Sequence, residues 1–384
     1  MTAVLQVVTL VSPDRAYGGP ITVAQNLSEG LRSRGYDVTI AGGYRGHPRP
    51  PESIGDVPAR LWRVGSLGAR WGFAGLFSPR LLIWLARSMR RYDVVHVHVA
   101  RDLVTLPAAM VARLLGRDLY LQPHGMIDES GRISARLLDV LATRRVLAGA
   151  DAVLCLTSGE GADIAKISPK AVVRLLPNGV PVDEAAMKQP QLAVRPRVVF
   201  LARLHPRKRP TAFVAAAVAL LRQGVDAEFA IAGPDEGERR HVVEAIAQSG
   251  HEDRIVLEPP VSPDDVLAYL AAADLYVLPS VDEPFPMTVL EAMSVGTPVV
   301  VTDSCGLARG VEHIGAGVVV GESVEELSSA IGHIICDDTR LDQMSSSALT
   351  GAREKYGMGG VIDTLEQIYA TPRPRGRRGR SRFR

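Results

Sequence analysis

At 384 residues the chain is too long for one compact core and fits two domains of ordinary size. Hydrophobic residues make up 46% and charged residues 22%, which excludes a disordered protein. Residues 1–185 carry 22 Lys/Arg against 16 Asp/Glu, residues 186–370 carry 15 against 26, and residues 371–384 add seven arginines and no acid, so outside that tail the body is net negative and no nucleic acid is expected as partner.

In chain order, the segment 4–11 lacks a basic leader and reads as a buried first strand, not a signal peptide. Further apolar runs at 37–41, 94–99, 118–122 and 152–156 read as strands, with helical patterns between them such as 21–34, stopped by Gly35. The second half repeats the scheme, with strands at 198–202, 227–232, 254–257, 274–279, 298–302 and 317–320. Helices are predicted at 210–223, 238–249, 263–272 and 286–295. Such alternation predicts parallel sheets with right-handed crossovers, an α/β fold of two Rossmann-like domains. The boundary is expected near 182–195, where Pro181, Pro190 and Pro196 punctuate polar sequence, giving domains 1–188 and 189–350. The Arg/Pro/Gly tail 371–384 cannot bury apolar surface and is expected to be disordered.

No apolar run approaches the ~18–20 residues that span a bilayer. Cys155, Cys305 and Cys336 are scattered, with neither a disulfide framework nor metal spacing, which points to a reducing cytosol. The expected location is cytoplasmic, with attachment to the inner face of the membrane left open. No Asp-x-Asp pair occurs, so no metal and no other cofactor is expected.

The stretch Val281-Asp-Glu-Pro-Phe-Pro-Met-Thr-Val-Leu-Glu291 places two glutamates eight residues apart, on either side of a predicted helix start. Pro286 suits a first helical residue, and Met287, Thr288 and Val289 then offer free amides at the positive end of the helix dipole. Such an end is a phosphate cradle. Glu283 just outside the helix and Glu291 one turn inside it suit sugar hydroxyls on opposite sides of a diphosphate. Solvated glutamates flanking a turn are the plain alternative.

A second cluster, Arg203-Leu-His-Pro-Arg-Lys208, follows the apolar run 198–202. Basic residues past the carboxyl end of a parallel strand sit where open α/β sheets bind ligands. Arg203 offers a fork to phosphate and Lys208 a movable point charge. Gly18 and Gly19 let backbone amides approach a diphosphate without a Cβ in the way, or form a plain turn. A dinucleotide-binding dehydrogenase fits the alternation, but the first strand leads to Asp14-Arg-Ala-Tyr-Gly-Gly-Pro20 and not to Gly-x-Gly-x-x-Gly.

These residues resemble the family 4 (group 1) retaining glycosyltransferases of GT-B fold. The resemblance rests on Gly18-Gly19-Pro20, His96-Val-His98, His124-Gly125, Pro177-Asn-Gly-Val180, Arg203-Leu-x₃-Lys208 and Glu283-x₇-Glu291, followed by Ala292-Met-x-x-Gly-Thr-Pro-Val-Val300. They run in the family's order across about residues 1–320.

The resemblance implies two Rossmann-like parallel-sheet domains facing a cleft. The first would bind the acceptor and the second a UDP- or GDP-sugar, with a helix at 351–370 crossing back to the first. It implies a hexosyltransferase working with retention and without metal. Arg203, Lys208 and the 287–289 amides would hold the leaving diphosphate, Glu283 the donor sugar and Glu291 the ribose. His124 would contact the sugar at the reaction centre, and His98 and Asn178 are further acceptor or sugar contacts. Gly233 and Val261 are counted with the donor-binding residues. Pro286 and Pro260 stand where the family often has glycine, which removes amide donors.

The acceptor is argued from residues 57–92, which hold seven arginines, no acid, Trp62, Trp71, Trp84, Phe73 and Phe77. Such a stretch suits an anionic membrane surface or a lipid-linked saccharide acceptor in polysaccharide or glycolipid synthesis. A soluble small-molecule acceptor, an epimerase of the same fold, a phosphorylase and a non-catalytic scaffold are the alternatives. A phosphorylase would want a pyridoxal-binding lysine, and the intact Arg203, Lys208, Glu283 and Glu291 set argues against a scaffold.

Overall fold

The computed structural model describes residues 1–13, 18–68, 71–128, 138–181 and 195–371. The chain divides into two compact units, Met1–Gly179 with Met358–Arg384, and Val180–Gly357. The division thus falls at 179/180; residues 182–194 of the expected linker and 372–384 of the basic tail lie outside the described residues.

In the first unit β1 (Ala3–Val11), β2 (Asp37–Tyr44), β3 (Ser53–Ile54) and β4 (Val57–Arg63) are followed by a short ribbon of β5 (Gly65–Ser66) and β6 (Leu76–Phe77). Then come β7 (Val94–Val97), β8 (Asp118–Leu121), β9 (Ala152–Cys155) and β10 (Val173–Leu175). The sheet order is β10-β9-β8-β7-β1-β2-β4-β3, parallel except for the β3–β4 pair. Val4, Leu5, Val7 and Val8 of β1 are all buried, as a strand covered on both faces requires. Gln6 and Thr9 are buried with them, and such polar groups must find partners inside the protein.

The segment 57–92 is not one basic stretch. Val57, Ala59 and Leu61 point inward while Pro58 and Arg60 point out, so β4 pairs with β2 by a period-two pattern that its arginines obscure. The helix Pro79–Ser88 buries Leu81, Leu85 and Ser88, and Trp62 packs against Trp84 with ring centroids 4.8 Å apart.

The second unit contains β11 (Arg197–Leu201), β12 (Glu228–Ala232), β13 (Ile255–Leu257), β14 (Leu275–Leu278), β15 (Val299–Thr302) and β16 (Gly317–Val320). All are parallel, in the order β13-β12-β11-β14-β15-β16. The order reverses between β11 and β14. In an open α/β sheet the loops leaving such neighbouring strands diverge and open a crevice at their carboxyl ends.

The expected returning helix 351–370 is two helices. Asp338–Tyr356 belongs to the second unit and Met358–Ala370 to the first. The chain breaks at Gly357, whose backbone turns to extended angles and where a Cβ would lie 2.3 Å from the Arg353 carbonyl oxygen. Met358–Ala370 seats Ile362 where Gly30 of the helix Gly18–Ser33 has no side chain, and Arg34 pairs with Asp363 at 2.6 Å. Val361, Ile362, Leu365 and Tyr369 are buried; at roughly 1.5–3 kcal/mol per large apolar side chain, packing outweighs the exposed ion pair in holding this helix.

Candidate active site

In the first unit the candidate histidines gather on β7, which neighbours β1, and past the carboxyl end of β8, which neighbours β7. The rings of His96 and His98 stack at 4.8 Å and 7°, so the alternating residues share one face of the sheet as their spacing requires. His98 meets His124 edge to edge, with the rings nearly parallel at 8° and their centroids 5.0 Å apart, His98 Nδ1 2.7 Å from His124 Nε2 and His98 Nε2 2.8 Å from Gln6 Oε1. His96 Nδ1 lies 2.8 Å from the Tyr369 hydroxyl.

His124 holds φ at 54°, a left-handed conformation unusual for a residue with a Cβ. The neighbouring backbone keeps it there. Gly125 N–H donates to Glu160 Oε1 at 2.5 Å and Met126 N–H to the Pro123 carbonyl at 2.9 Å. Strain maintained in this way marks candidate functional positions. Burial pushes the pKa of His124 down to about 3, with the nearby His96 adding to it, while burial takes His96 to about 3 and His98 well below the usual histidine value. At neutral pH the rings are uncharged, so His124 works as a neutral hydrogen-bonding group.

Gly18 and Gly19 open the helix Gly18–Ser33, and a Cβ at Gly19 would meet nothing within 4 Å. No packing of the described residues demands a glycine there, which leaves room for a ligand against the backbone. Residues 14–17 before it lie outside the described residues. Asn178 is buried, and its Oδ1 accepts from Gln122 Nε2 at 3.4 Å; the structure gives it an internal partner rather than an open face.

In the second unit the switch between β11 and β14 collects the charges. After β11, Arg203 Nη1 donates to both carboxylate oxygens of Glu236, at 2.7 and 2.9 Å. A short turn at Pro206–Lys208 directs Lys208 inward, 8% exposed, with Nζ 2.6 Å from Glu283 Oε2; Arg207 reaches the same oxygen at 3.4 Å. Lys208 and Glu283 are thus partners, not separate groups. Burial lowers the Lys208 pKa, and the attraction of Glu283 offsets only part of that.

Glu283 is fixed by its backbone. Val281 N–H donates to Arg207 O at 2.9 Å and Gly306 N–H to Glu283 O at 2.8 Å. A Cβ at Gly306 would fall 1.8 Å from Pro284 O, so only glycine fits there. Glu291 lies in the helix Met287–Ser294 and is set quite differently. Burial raises its pKa to about 7, and no partner for its carboxylate is found among the described residues.

The helix start differs from expectation. Pro286 is the N-cap, with ψ of 113°, and Met287 is the first helical residue. Val289 N–H donates to Pro286 O at 3.2 Å, so it is not one of the free amides; Met287 and Thr288 are the amides left at this helix end. The Tyr276 hydroxyl lies 2.8 Å from Thr288 Oγ1 and 3.1 Å from Leu201 O, tying the helix start to the end of β11. Gly233 lets the β12 end cross the β11 loop: a Cβ there would sit 1.8 Å from Ala202 O. Val261, half-buried, lies in the loop after β13, beyond the Glu258 N–H donated to Ile231 O at 2.8 Å.

Glu160, Gln6, Tyr369, Arg207, Glu236 and Gly306 escaped the sequence reading. Glu160 had a signal: Thr157-x-x-Glu160 is a capping box, and Thr157 Oγ1 accepts from Glu160 N–H at 3.1 Å. Its carboxylate, however, accepts from Leu156 and Gly125 N–H at 2.6 and 2.5 Å and so braces the His124 loop. Among the described residues no group of three or more His, Cys, Asp or Glu side chains is placed to hold a metal ion.

Comparison with known proteins places both halves. Residues 18–179 match the family model described as glycosyl transferase 4-like domain, and residues 195–337 the model for glycosyl transferases group 1. The chain is 29% identical to D-inositol 3-phosphate glycosyltransferase of Nocardia farcinica over 70% of its own length, and spans 59% of that protein. It is 29% identical to 2-deoxystreptamine N-acetyl-D-glucosaminyltransferase of Streptomyces fradiae, over 91% of this chain and 90% of that one. The fold is that of Anabaena Alr3699/HepE, solved with UDP and glucose, at a TM-score of 0.75 and 18% identity, covering 96% and 99% of the two chains.

Proposed function

The chain belongs to the group 1, family 4 glycosyltransferases, and on that premise we propose that it moves a sugar from a nucleoside-diphosphate sugar to a saccharide or lipid-linked acceptor, with retention and without metal. One observation carries the reading. Lys208, Arg203 and Arg207 converge with Glu283 on the switch point of the parallel sheet, beside the start of the helix Met287–Ser294 that bears Glu291.

Arg203 and Lys208 are held by carboxylates that a diphosphate would displace or share. With the Met287 and Thr288 amides they stabilise negative charge as it builds on the leaving group, usually a large catalytic contribution. Glu283, freed in part from Lys208 as the cation turns to phosphate, accepts from a sugar hydroxyl. Glu291, half-buried and without a partner among the described residues, accepts from the ribose hydroxyls. His124 meets the sugar as a neutral ring. A UDP-sugar is the favoured donor, since the similar Anabaena structure holds UDP and glucose.

For the acceptor, the helix Pro79–Ser88 turns Leu82 (37% exposed) and Ile83 (49%) outward beside exposed Arg80 and Arg87, with Trp71 (36%) nearby in sequence. That face suits an anionic membrane carrying a lipid-linked saccharide, as in polysaccharide or glycolipid synthesis. No helix among the described residues is long and apolar enough to cross a membrane. A second reading, a soluble cyclitol acceptor, is favoured by the names of the two relatives, inositol 3-phosphate and 2-deoxystreptamine transferases.

Thermal shift against UDP-, GDP- and ADP-sugars tests the donor. One base should raise the melting temperature, and the matching sugar should then be transferred at undiminished rate in EDTA. No shift with any donor would sink the assignment, and a metal-restorable loss in EDTA would contradict metal independence.

A further inference from the structure

We propose that Gln6 and His98 form a one-way hydrogen-bond relay that fixes His124 with its proton on Nε2 and its Nδ1 lone pair turned to the ligand. His98 is then a positioning residue for the transfer. The inference rests on the reading that His124 meets a sugar hydroxyl.

The sense of the relay follows link by link. A carboxamide oxygen only accepts, so the 2.8 Å contact with Gln6 Oε1 places the His98 proton on Nε2. His98 Nδ1 then has only a lone pair, and the 2.7 Å contact requires His124 Nε2 to donate. A neutral imidazole has one ring proton, so His124 Nδ1 is bare and accepts. Beside these two links, the Tyr369 hydroxyl lies 2.8 Å from His96 Nδ1, and Gln122 Nε2 donates to Asn178 Oδ1 at 3.4 Å.

Turning Gln6 over would oblige both links to reverse and put the His124 proton on Nδ1. Gln6 and His98 are at most 1% exposed, where an unmade hydrogen bond is costly. His96 stacks on His98 at 4.8 Å and 7°, which resists a flip of the His98 ring. Burial keeps the three rings neutral, so the tautomer and not the charge is the variable.

Nitrogen NMR of the ¹⁵N-histidine-labelled full chain tests this, with His124→Gln identifying the resonances. The expected result is a protonated Nε2 and a bare Nδ1 at His124, unchanged from about pH 5.5 to 8. Gln6→Glu, which can still accept from His98, should keep that proton pattern in the spectrum. His98→Leu should mix the tautomers and lower kcat roughly tenfold with little change in donor KM, the effect of one misplaced hydrogen bond. A proton on His124 Nδ1 in the wild-type protein would overturn the relay even if no variant folds. If His124→Ala transfers at the full rate, the sugar contact itself fails. Loss of transfer in His124→Ala with the wrong tautomer in the wild type would remove the relay alone.

Discussion

The first unit builds its candidate site from neutral rings hydrogen-bonded to one another and to uncharged neighbours, whereas the second builds its own from charges paired across loops. Lys208 is held by Glu283 at 2.6 Å and Arg203 by Glu236 at 2.7 Å, while His98 has Gln6 and His124 as fixed neighbours. Neutral partners keep their geometry through changes of pH and salt. Paired charges can exchange partners when an anion arrives, and their strength depends on burial. The two regions therefore answer differently to substitution.

The largest expected effect is at Lys208. Lys208→Ala should lower kcat/KM by ~10²–10³, the scale of losing one preorganised charge at a leaving group. It should also cost stability, by about 1–3 kcal/mol, because Glu283 is left half-buried without its cation. Arg203→Ala should impair transfer while leaving the melting temperature unchanged, since its pair with Glu236 is exposed. Steady-state kinetics and thermal melts on both variants check this, and equal stability losses would erase the distinction.

His124→Ala should lower transfer by about tenfold or more, the loss of at least one hydrogen bond in the transition state. Its affinity for a nucleoside diphosphate should stay at the wild-type level, because the charges proposed to hold phosphate lie in the second unit. Calorimetry of the variant checks this, and a matching loss of nucleotide affinity would break the division of labour.

A smaller effect separates Glu291 by pH. Its pKa of about 7 in the free protein leaves the carboxyl near half-protonated at neutrality. Ribose hydroxyls favour the ionised form, so binding should lower that pKa and release a proton. Nucleoside diphosphate affinity should thus rise from pH 6 to 8, and Glu291→Gln should flatten the rise. Without ligand the sign is opposite: the folded protein holds the proton more tightly than the unfolded chain, so Glu291 lowers stability as pH rises between about 4.5 and 7. Proton release measured in two buffers decides the point.

The smallest expected effect concerns the outer face of Pro79–Ser88. Anionic vesicles should carry the protein at low salt and release much of it near ~0.5 M salt by screening. Replacing Trp71 and Ile83 by serine should weaken flotation severalfold. Unaltered flotation would move the contact elsewhere, and none at low salt would favour a soluble acceptor.

The strands were readable because strands covered on both faces are runs of Val, Ile, Leu and Ala, as in β1 and β11. β4 was hidden because arginine and tryptophan occupy its outward positions. The site was readable as residue types past strand ends, but not as pairs. Lys208 and Glu283 lie 75 residues apart, and nothing local says they hold each other rather than a ligand. Gln6 and Tyr369 could not be found at all. One lies inside an apolar strand and the other at the end of a helix, and only folding brings both to His96 and His98. Val289 was misjudged for a smaller reason: Pro286 caps the helix from outside, so its carbonyl takes the amide three residues on.

The central claim is that the second unit grips a nucleotide through its diphosphate. Calorimetric titration of UDP, GDP, UMP and GMP into the wild-type protein and Lys208→Ala tests it most directly. One diphosphate should bind the wild type at least about tenfold more tightly than its monophosphate, a margin of about 1.4 kcal/mol. Lys208→Ala should lose most of that margin while binding the monophosphate nearly as before. Equal affinity of mono- and diphosphate in the wild type, or an unchanged margin in Lys208→Ala, would contradict the account.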